Sequence, residues 1–218
     1  MVQPHNLDYK LTDNNRKLRP DELAIANVVK TSSRVLDIGC GDGSLLFHLT
    51  REKNVIGRGI ELSQDGVNYC VSKGLSVIQG NADTDLNFYP EKSFDYVILS
   101  QTLQATHNPR NVLLNLIRIG KRAIVSLPNF GHFKIRLKLL TTGQMPKTNL
   151  LNEPWFSTPN IHLCTILDFV NLCKDLGLKL ESVIVLNENG KVSLFSKNLY
   201  LANLFGQQVL FVINNNFK

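Results

Sequence analysis

Apolar positions along the chain alternate between two spacings. Short, nearly continuous apolar runs occur at RVLDIG (34–39), NVIGRGIEL (54–62), LSVIQG (75–80), FDYVILS (94–100), KRAIVSLP (121–128), LKLESVIVL (178–186) and QQVLFVI (207–213). Runs this short, rich in Val and Ile, predict buried strands. Between them lie stretches of helical spacing: 21–30 after Pro20, 44–53, a helix capped by Ser63 and stopped by Gly74, 109–118, and 165–176 before Gly177. Ser at an N-terminus and Gly at a C-terminus are the residues that satisfy or end a helix. Strands alternating with helices of this length imply a mostly parallel sheet with helices on both faces. The final two strands look separated by a short segment, which predicts a hairpin-like ending with the last strand antiparallel.

Two segments do not fit the alternation. Residues 133–139, FKIRLKL, alternate strictly, a strand period. Their place after the fifth strand suits a lid or interaction element, helical or extended, with one basic and one apolar face. Residues 143–163 contain Pro146, Pro154 and Pro159 around Trp155 and Phe156, and predict a long irregular loop over the ligand crevice.

Length sharpens this picture. The 218 residues and 43% hydrophobic content suit one α/β domain, over 21–218, behind a flexible arm, 1–20. The net charge of +6 comes without a long Lys/Arg run or an aromatic-interleaved RNA-binding motif, so it reads as solubility rather than nucleic-acid binding. The polar N-terminus lacks the apolar region of a secretory signal, and no apolar run is long enough to span a bilayer. The four cysteines, Cys40, Cys70, Cys164 and Cys173, match no metal-binding spacing, and reduced thiols in the cytoplasm are expected.

The chemistry concentrates at Val35-Leu36-Asp37-Ile38-Gly39-Cys40-Gly41-Asp42-Gly43-Ser44. A buried strand runs through three spaced glycines into a helix. Ser44 replaces the third glycine of the dinucleotide fingerprint, and Asp37 would repel a pyrophosphate. A carboxylate there suits an ammonium instead. S-adenosylmethionine carries an ammonium and no phosphate. Glu61, twenty residues after Gly41 at the end of the second strand, is placed to accept from both hydroxyls of a ribose. These residues together predict a Rossmann-like class I S-adenosylmethionine-dependent methyltransferase fold with a seven-stranded sheet. Asp37, Gly39, Gly41, Gly43, Glu61, Asn81 and Gln101 are the candidate cofactor-binding residues. Asn81 stands where related methyltransferases carry an acid for the adenine amine, and Asp83 is the alternative. Gln101 follows the fourth strand, where ligands of doubly wound sheets lie. His107, His132 and His162 are candidate bases, without an assignable carboxylate partner. No N-P-P-Y or D-P-P-Y follows the fourth strand, which argues against methylation of nucleic-acid bases.

The segments VLDIGCGDGSLL (35–46), SQTLQATHNP (100–109), SLPNFGHFKIR (126–136), GQMP (143–146) and WFSTPNIHLCTILDFVNLC (155–173) resemble the MetW family of methionine biosynthesis proteins, over roughly residues 30–215. The glycine motif is common to class I methyltransferases; PNFGH and WFSTPNIHLCT are far more specific. The resemblance implies a partner that supports homoserine O-acetyltransferase and binds S-adenosylmethionine or S-adenosylhomocysteine. The alternative is an active methyltransferase on a small molecule. An RNA methyltransferase rests on the basic charge alone.

Overall fold

The computed structural model describes residues 17–148, 150–187 and 189–214. Residues 1–16 of the expected arm lie outside these. Seven strands form one sheet: β1 (Arg34–Ile38), β2 (Ile56–Glu61), β3 (Val77–Gln79), β4 (Phe94–Ser100), β5 (Gly120–Pro128), β6 (Lys179–Leu186) and β7 (Gln208–Asn214). Their order is β3-β2-β1-β4-β5-β7-β6. The first five are parallel, and β7 runs antiparallel to both β5 and β6.

The two-residue period of the strands sorts their side chains onto opposite faces. Val35, Tyr96, Ile98, Ile124 and Leu210 pack with Ile25 of α1 (Pro20–Val28) and Leu45 and Leu49 of α2 (Ser44–Lys53). Leu36, Val97, Leu99, Val125 and Phe211 point the other way. They pack with Leu113 and Leu116 of α4 (Pro109–Ile119), Phe169 of α6 (Ile166–Asp175) and Ala202 of α7 (Leu199–Phe205). α3 (Gln64–Ser72) shares an apolar cluster with Leu46 of α2 and Val77 of β3. Because Asp37 lies two residues after Val35, the same period turns it toward α1.

The helix ends follow their sequence signals. Ser63 Oγ accepts from Gly66 N, Asn108 Oδ1 accepts from Asn111 N, and Thr165 and Asp168 form a reciprocal capping box. One open alternative closes and one expectation changes. Residues 133–139 belong to a helix, α5 (Phe133–Thr142), capped by His132 Nδ1 accepting from Lys134 N. Only Ile135 of α5 is buried, so the strict alternation reflects a half-wetted helix rather than a strand. The connection from β6 to β7 is not a short hairpin: it carries a 3-10 turn, 194–197, and α7 before the chain returns to pair with β6. Residues 143–163 contain no helix or strand among the described residues, as the prolines predict.

The Pro-Asn-Phe-Gly-His segment after β5 is held by one side chain. Buried Asn129 donates from Nδ2 to Asn203 O at 2.8 Å and Gly206 O at 2.7 Å, while its Oδ1 accepts from Gly131 N and Ile166 N. It thereby joins β5, α6 and α7. Asn129→Ala leaves buried donors and carbonyls unpaired, and is expected to cost about 2–4 kcal/mol. Urea unfolding of the variant against wild type measures this directly.

Candidate functional site

The crevice lies beyond the carboxyl ends of β1, β2 and β4, where the strand order reverses and parallel sheets hold their ligands. Its floor is the turn from β1 into α2. Gly39 N and Cys40 N both donate to Ile60 O, Gly43 N donates to Cys40 O, and Asp42 Oδ1 accepts from Ser44 N. Gly39 takes φ +70°, and a Cβ there would stand 2.6 Å from Thr102 Oγ1. Gly41 takes φ +58° and faces open space. Only glycine accepts the first position at all, and at the second it leaves room beside the backbone.

Glu61 is buried at the end of β2. Its Oε2 accepts from Gly41 N and its Oε1 from Ser63 N, each at 2.9 Å. The twenty-residue interval between Gly41 and Glu61 is therefore a direct contact. Glu61 holds the glycine turn in place, and each carboxylate oxygen can accept more than one donor.

The sequence does not single out the polar cluster beside Asp37. Asp21, 0% exposed, and Glu22, 4% exposed, look like ordinary first-turn acids of α1. Both are inside. Arg19 Nε lies 3.2 Å from Asp21 Oδ1, and Arg19 Nη2 lies 3.2 Å from Glu22 Oε1 and 2.8 Å from Ser100 Oγ. Ser100 Oγ and Ser126 Oγ both donate to Asp21 Oδ2, at 2.8 and 2.9 Å. Burial works to raise the Asp21 carboxyl, but Arg19 and the two hydroxyls outweigh it and hold it below the usual range. Asp37, 2% exposed, has no such set of donors. Burial first, then Glu22, push its carboxyl up to about 7; Arg19 opposes this, and Glu61 and Asp42 add to it.

The remaining candidates fall into distinct roles. Gln101 follows β4 with φ +53°, its N–H held by Ser126 O, and its Nε2 is buried without a partner among the described residues. Asn81 Oδ1 accepts from Asp83 N in a local turn, and Asn81 N donates to Asp85 Oδ2. Asp83 accepts from His107 N and Asn108 N, both at 2.9 Å, and so braces the start of α4. His107 and His162 are exposed, and His132 is the buried cap of α5. The loop 143–163 lines a cavity of about 190 Å³ with Phe130, Met145, Trp155, Phe156 and Leu163. That cavity includes none of the glycine-turn residues.

The arrangement can hold a ligand that is cationic at one end and rich in hydroxyls at the other. Acidic groups surround the floor, Gly41 leaves space, and Gln101 Nε2 supplies an unmatched donor. A pyrophosphate does not fit beside Asp37, Glu22 and Glu61.

This sheet and crevice define the class: the protein has the class I S-adenosylmethionine-dependent methyltransferase fold. A methyltransferase of Archaeoglobus fulgidus superposes with a TM-score of 0.62 at 18% identity, covering 89% of this chain and 91% of its own. The [4+2]-cyclase SpnF superposes with 0.61 at 14% identity, covering 90% and 80%. The chain belongs to the MetW family, Methionine biosynthesis protein MetW, whose pattern matches residues 19–213. It is 32% identical over 176 residues to the bifunctional methionine biosynthesis protein MetXA/MetW of Rhodopirellula baltica, covering 77% of this chain and 28% of that protein. The chain spans a third or less of the length of the curated relatives it matches. Among the described residues no helix is long and apolar enough to cross a membrane.

Asp37 makes folding pH-sensitive. Its folded pKa of about 7 exceeds its unfolded value of 3.8, so the folded state holds the proton more tightly. Stability from this group is complete below pH 4 and is lost as pH rises to 7. Asp37→Asn removes that loss. The variant should gain on wild type between pH 4 and 7, by at most about 4 kcal/mol. Chemical denaturation across that pH range measures the difference.

Proposed function

We propose that this chain binds S-adenosylmethionine, or S-adenosylhomocysteine, in the crevice at Asp37, Gly39, Gly41, Gly43 and Glu61. In this reading it acts as a cofactor-sensing partner of homoserine O-acetyltransferase in methionine biosynthesis. The observation that carries the binding site is the Glu61–Gly41 contact beside the buried Asp37. It supports a reading with a ribose acceptor and an ammonium acceptor on either side of an open glycine turn. Asp37 faces the ammonium, Glu61 accepts from the ribose, and Asn81 and Gln101 border the rest. When bound, the cofactor would supply a methyl group on sulfonium; the chain's own residues bind and orient it. The single domain, 21–218, belongs to the same reading, with Arg19 and Pro20 of the expected arm, 1–20, packed onto it.

The accessory role draws on two supports. The MetW resemblance implies the acetyltransferase partner, and the Rhodopirellula relative carries MetXA and MetW in one bifunctional protein. The three candidate histidines stand as an exposed loop residue, a helix cap and a second exposed loop residue. They do not suggest an acceptor base. The alternative, methyl transfer to a small molecule, is supported by the fold alone.

Calorimetry tests binding. Cofactor affinity should rise with pH through 7, because an ammonium favours ionised Asp37. Glu61→Ala should lose affinity by on the order of 1.5–3 kcal/mol for each bond to the carboxylate. Equal affinity at pH 6 and 8 removes Asp37 from the site, and equal affinity in Glu61→Ala removes Glu61.

A surface for the partner is offered by α5 and the loop behind it. Leu140 is 84% exposed, Trp155 74% and Phe156 72%. Aromatic side chains of this kind anchor interfaces. Arg136 is less available, since its Nε donates to Gly131 O at the start of its own helix. Co-expression with homoserine O-acetyltransferase should give a complex on gel filtration, with raised acetyltransferase activity. Trp155→Ala with Leu140→Asp should weaken it by about tenfold or more. No complex at all overturns the accessory reading, and rapid passage of a radiolabelled methyl group to a metabolite supports the alternative.

A further inference from the structure

The cofactor reading leaves two cysteines without a role, and they meet underneath the glycine turn. Cys40 lies between Gly39 and Gly41, and Cys70 is in α3. Two glycines clear the space their sulfurs occupy. A Cβ at Gly59 of β2 would stand 2.8 Å from Cys40 Sγ, and a Cβ at Gly43 would stand 2.8 Å from Cys70 Sγ. Cys70 is fully buried, with Sγ 3.4 Å from Gly41 O. Cys40 is partly exposed and packs on the same cluster of Leu46, Val67, Cys70, Leu75 and Val77. The two thiols lie near enough to influence each other's ionisation. Cys164, by contrast, sits against Gln104 Nε2 at 3.3 Å, and Cys173 is buried in the large core cluster.

We propose that Cys40 and Cys70 are a reversible oxidative modification site, closing to a disulfide inside the cofactor turn on exposure to a peroxide. Both are thiols in the resting protein. The neighbouring Cys40 thiol lowers the Cys70 thiol despite its burial and the nearby Asp42, Glu61 and Asp37, and the Cys40 thiol is raised in return. The pair thus has one sulfur biased toward thiolate and one that keeps its proton, the polarity that thiol oxidation needs. Cys40 is the part-exposed member of the pair and Cys70 the buried one.

The steps balance. Cys70 thiolate attacks one peroxide oxygen, the O–O bond breaks, and hydroxide leaves and takes the proton lost from the pair, giving a sulfenic acid and water. The Cys40 sulfur then attacks the sulfenic sulfur, the S–O bond breaks, and its hydroxyl leaves as a second water with the Cys40 proton. Two thiols and one hydrogen peroxide give one disulfide and two waters; the sulfurs lose two electrons and the peroxide gains them.

Closure acts on the cofactor crevice in two ways. It removes the S–H that Cys70 directs at Gly41 O. It also draws the two sulfurs from their places in one apolar cluster to about 2.05 Å, pulling the residue between Gly39 and Gly41 toward α3. Gly41 N is the donor to Glu61 Oε2, so the turn and the ribose acceptor shift together. The consequence for affinity rests on the cofactor reading; the modification itself does not.

The experiment uses the full chain, reduced and then treated with hydrogen peroxide. Its intact mass should fall by about 2 Da, and dithiothreitol should restore it. Peptide mapping without reduction should recover a Cys40–Cys70 crosslink. Calorimetry with S-adenosylhomocysteine should show the oxidised protein binding about tenfold more weakly or worse. Cys70→Ala and Cys40→Ser should each form no such crosslink and bind equally before and after peroxide. Cys40 and Cys70 that remain alkylatable after treatment, or a crosslink between other cysteines or between chains, overturn the proposal. A mapped Cys40–Cys70 crosslink with unchanged affinity overturns its regulatory half. If the reduced protein binds no S-adenosylhomocysteine, the cofactor reading fails instead, and the peptide map still decides whether the modification site exists.

Discussion

A carboxylate taken out of water must be paired or give up its charge, and this constraint organises the crevice end of the sheet. Asp21, Glu22, Asp37 and Glu61 are all buried where β1, β2, β4 and β5 end. Three solutions operate side by side. Asp21 is neutralised by Arg19 and two serine hydroxyls. Glu61 is satisfied by backbone N–H groups of the turn it stabilises. Asp37 has neither a dedicated cation nor a full set of donors, and keeps its proton to about pH 7. Its burial is the cost of holding an acceptor ready for a cation.

From that constraint the local architecture follows. Arg19 stands at the N-cap of α1 and Asp21 and Glu22 in its first turn, so the helix before the first strand is part of the crevice rather than a lead-in. Ser100 and Ser126, paired across β4 and β5, tie Asp21 to two strand ends at once. The strained backbone of Gln101 is fixed by the same Ser126, whose carbonyl takes the Gln101 N–H. The glycine turn hangs from β2 by Ile60 O and Glu61, and beneath it the sulfur of Cys70 touches Gly41 O. Within each of these two groups, the Asp21–serine cluster and the glycine turn, a change reaches its neighbours through one or two hydrogen bonds.

The same fold carries more than one chemistry. Its neighbours include methyltransferases and a [4+2]-cyclase at nearly equal TM-scores. The sheet is a frame for a crevice, and what happens there depends on the side chains around it. Here the crevice is acidic and tightly braced, while the exposed aromatic and aliphatic surface lies further along, on α5 and the loop 143–163.

Strand and helix positions were legible in the sequence because burial on alternating faces leaves a period, and helix ends leave Ser, Asn, Thr and Gly at their caps. The glycine turn and Glu61 were legible too, since backbone conformation and a fixed interval constrain residue type directly. The helical state of 133–142 was open from its place after β5, but its period pointed the other way. A helix with one buried residue, Ile135, has no apolar face to enforce a three-to-four spacing, and chance alternation imitates a strand. Nor could the sequence show that Asp21 and Glu22 are inside, because first-turn acids read the same whether they meet solvent or Arg19. Asn81 and Asp83 looked interchangeable, yet only tertiary structure set one into its own turn and the other onto the start of α4. The meeting of Cys40 and Cys70, thirty residues apart, likewise depended on packing α3 against the glycine turn. Local patterns record what a segment does with its own backbone and with water; which distant side chains share a buried space is decided only when the sheet closes over them.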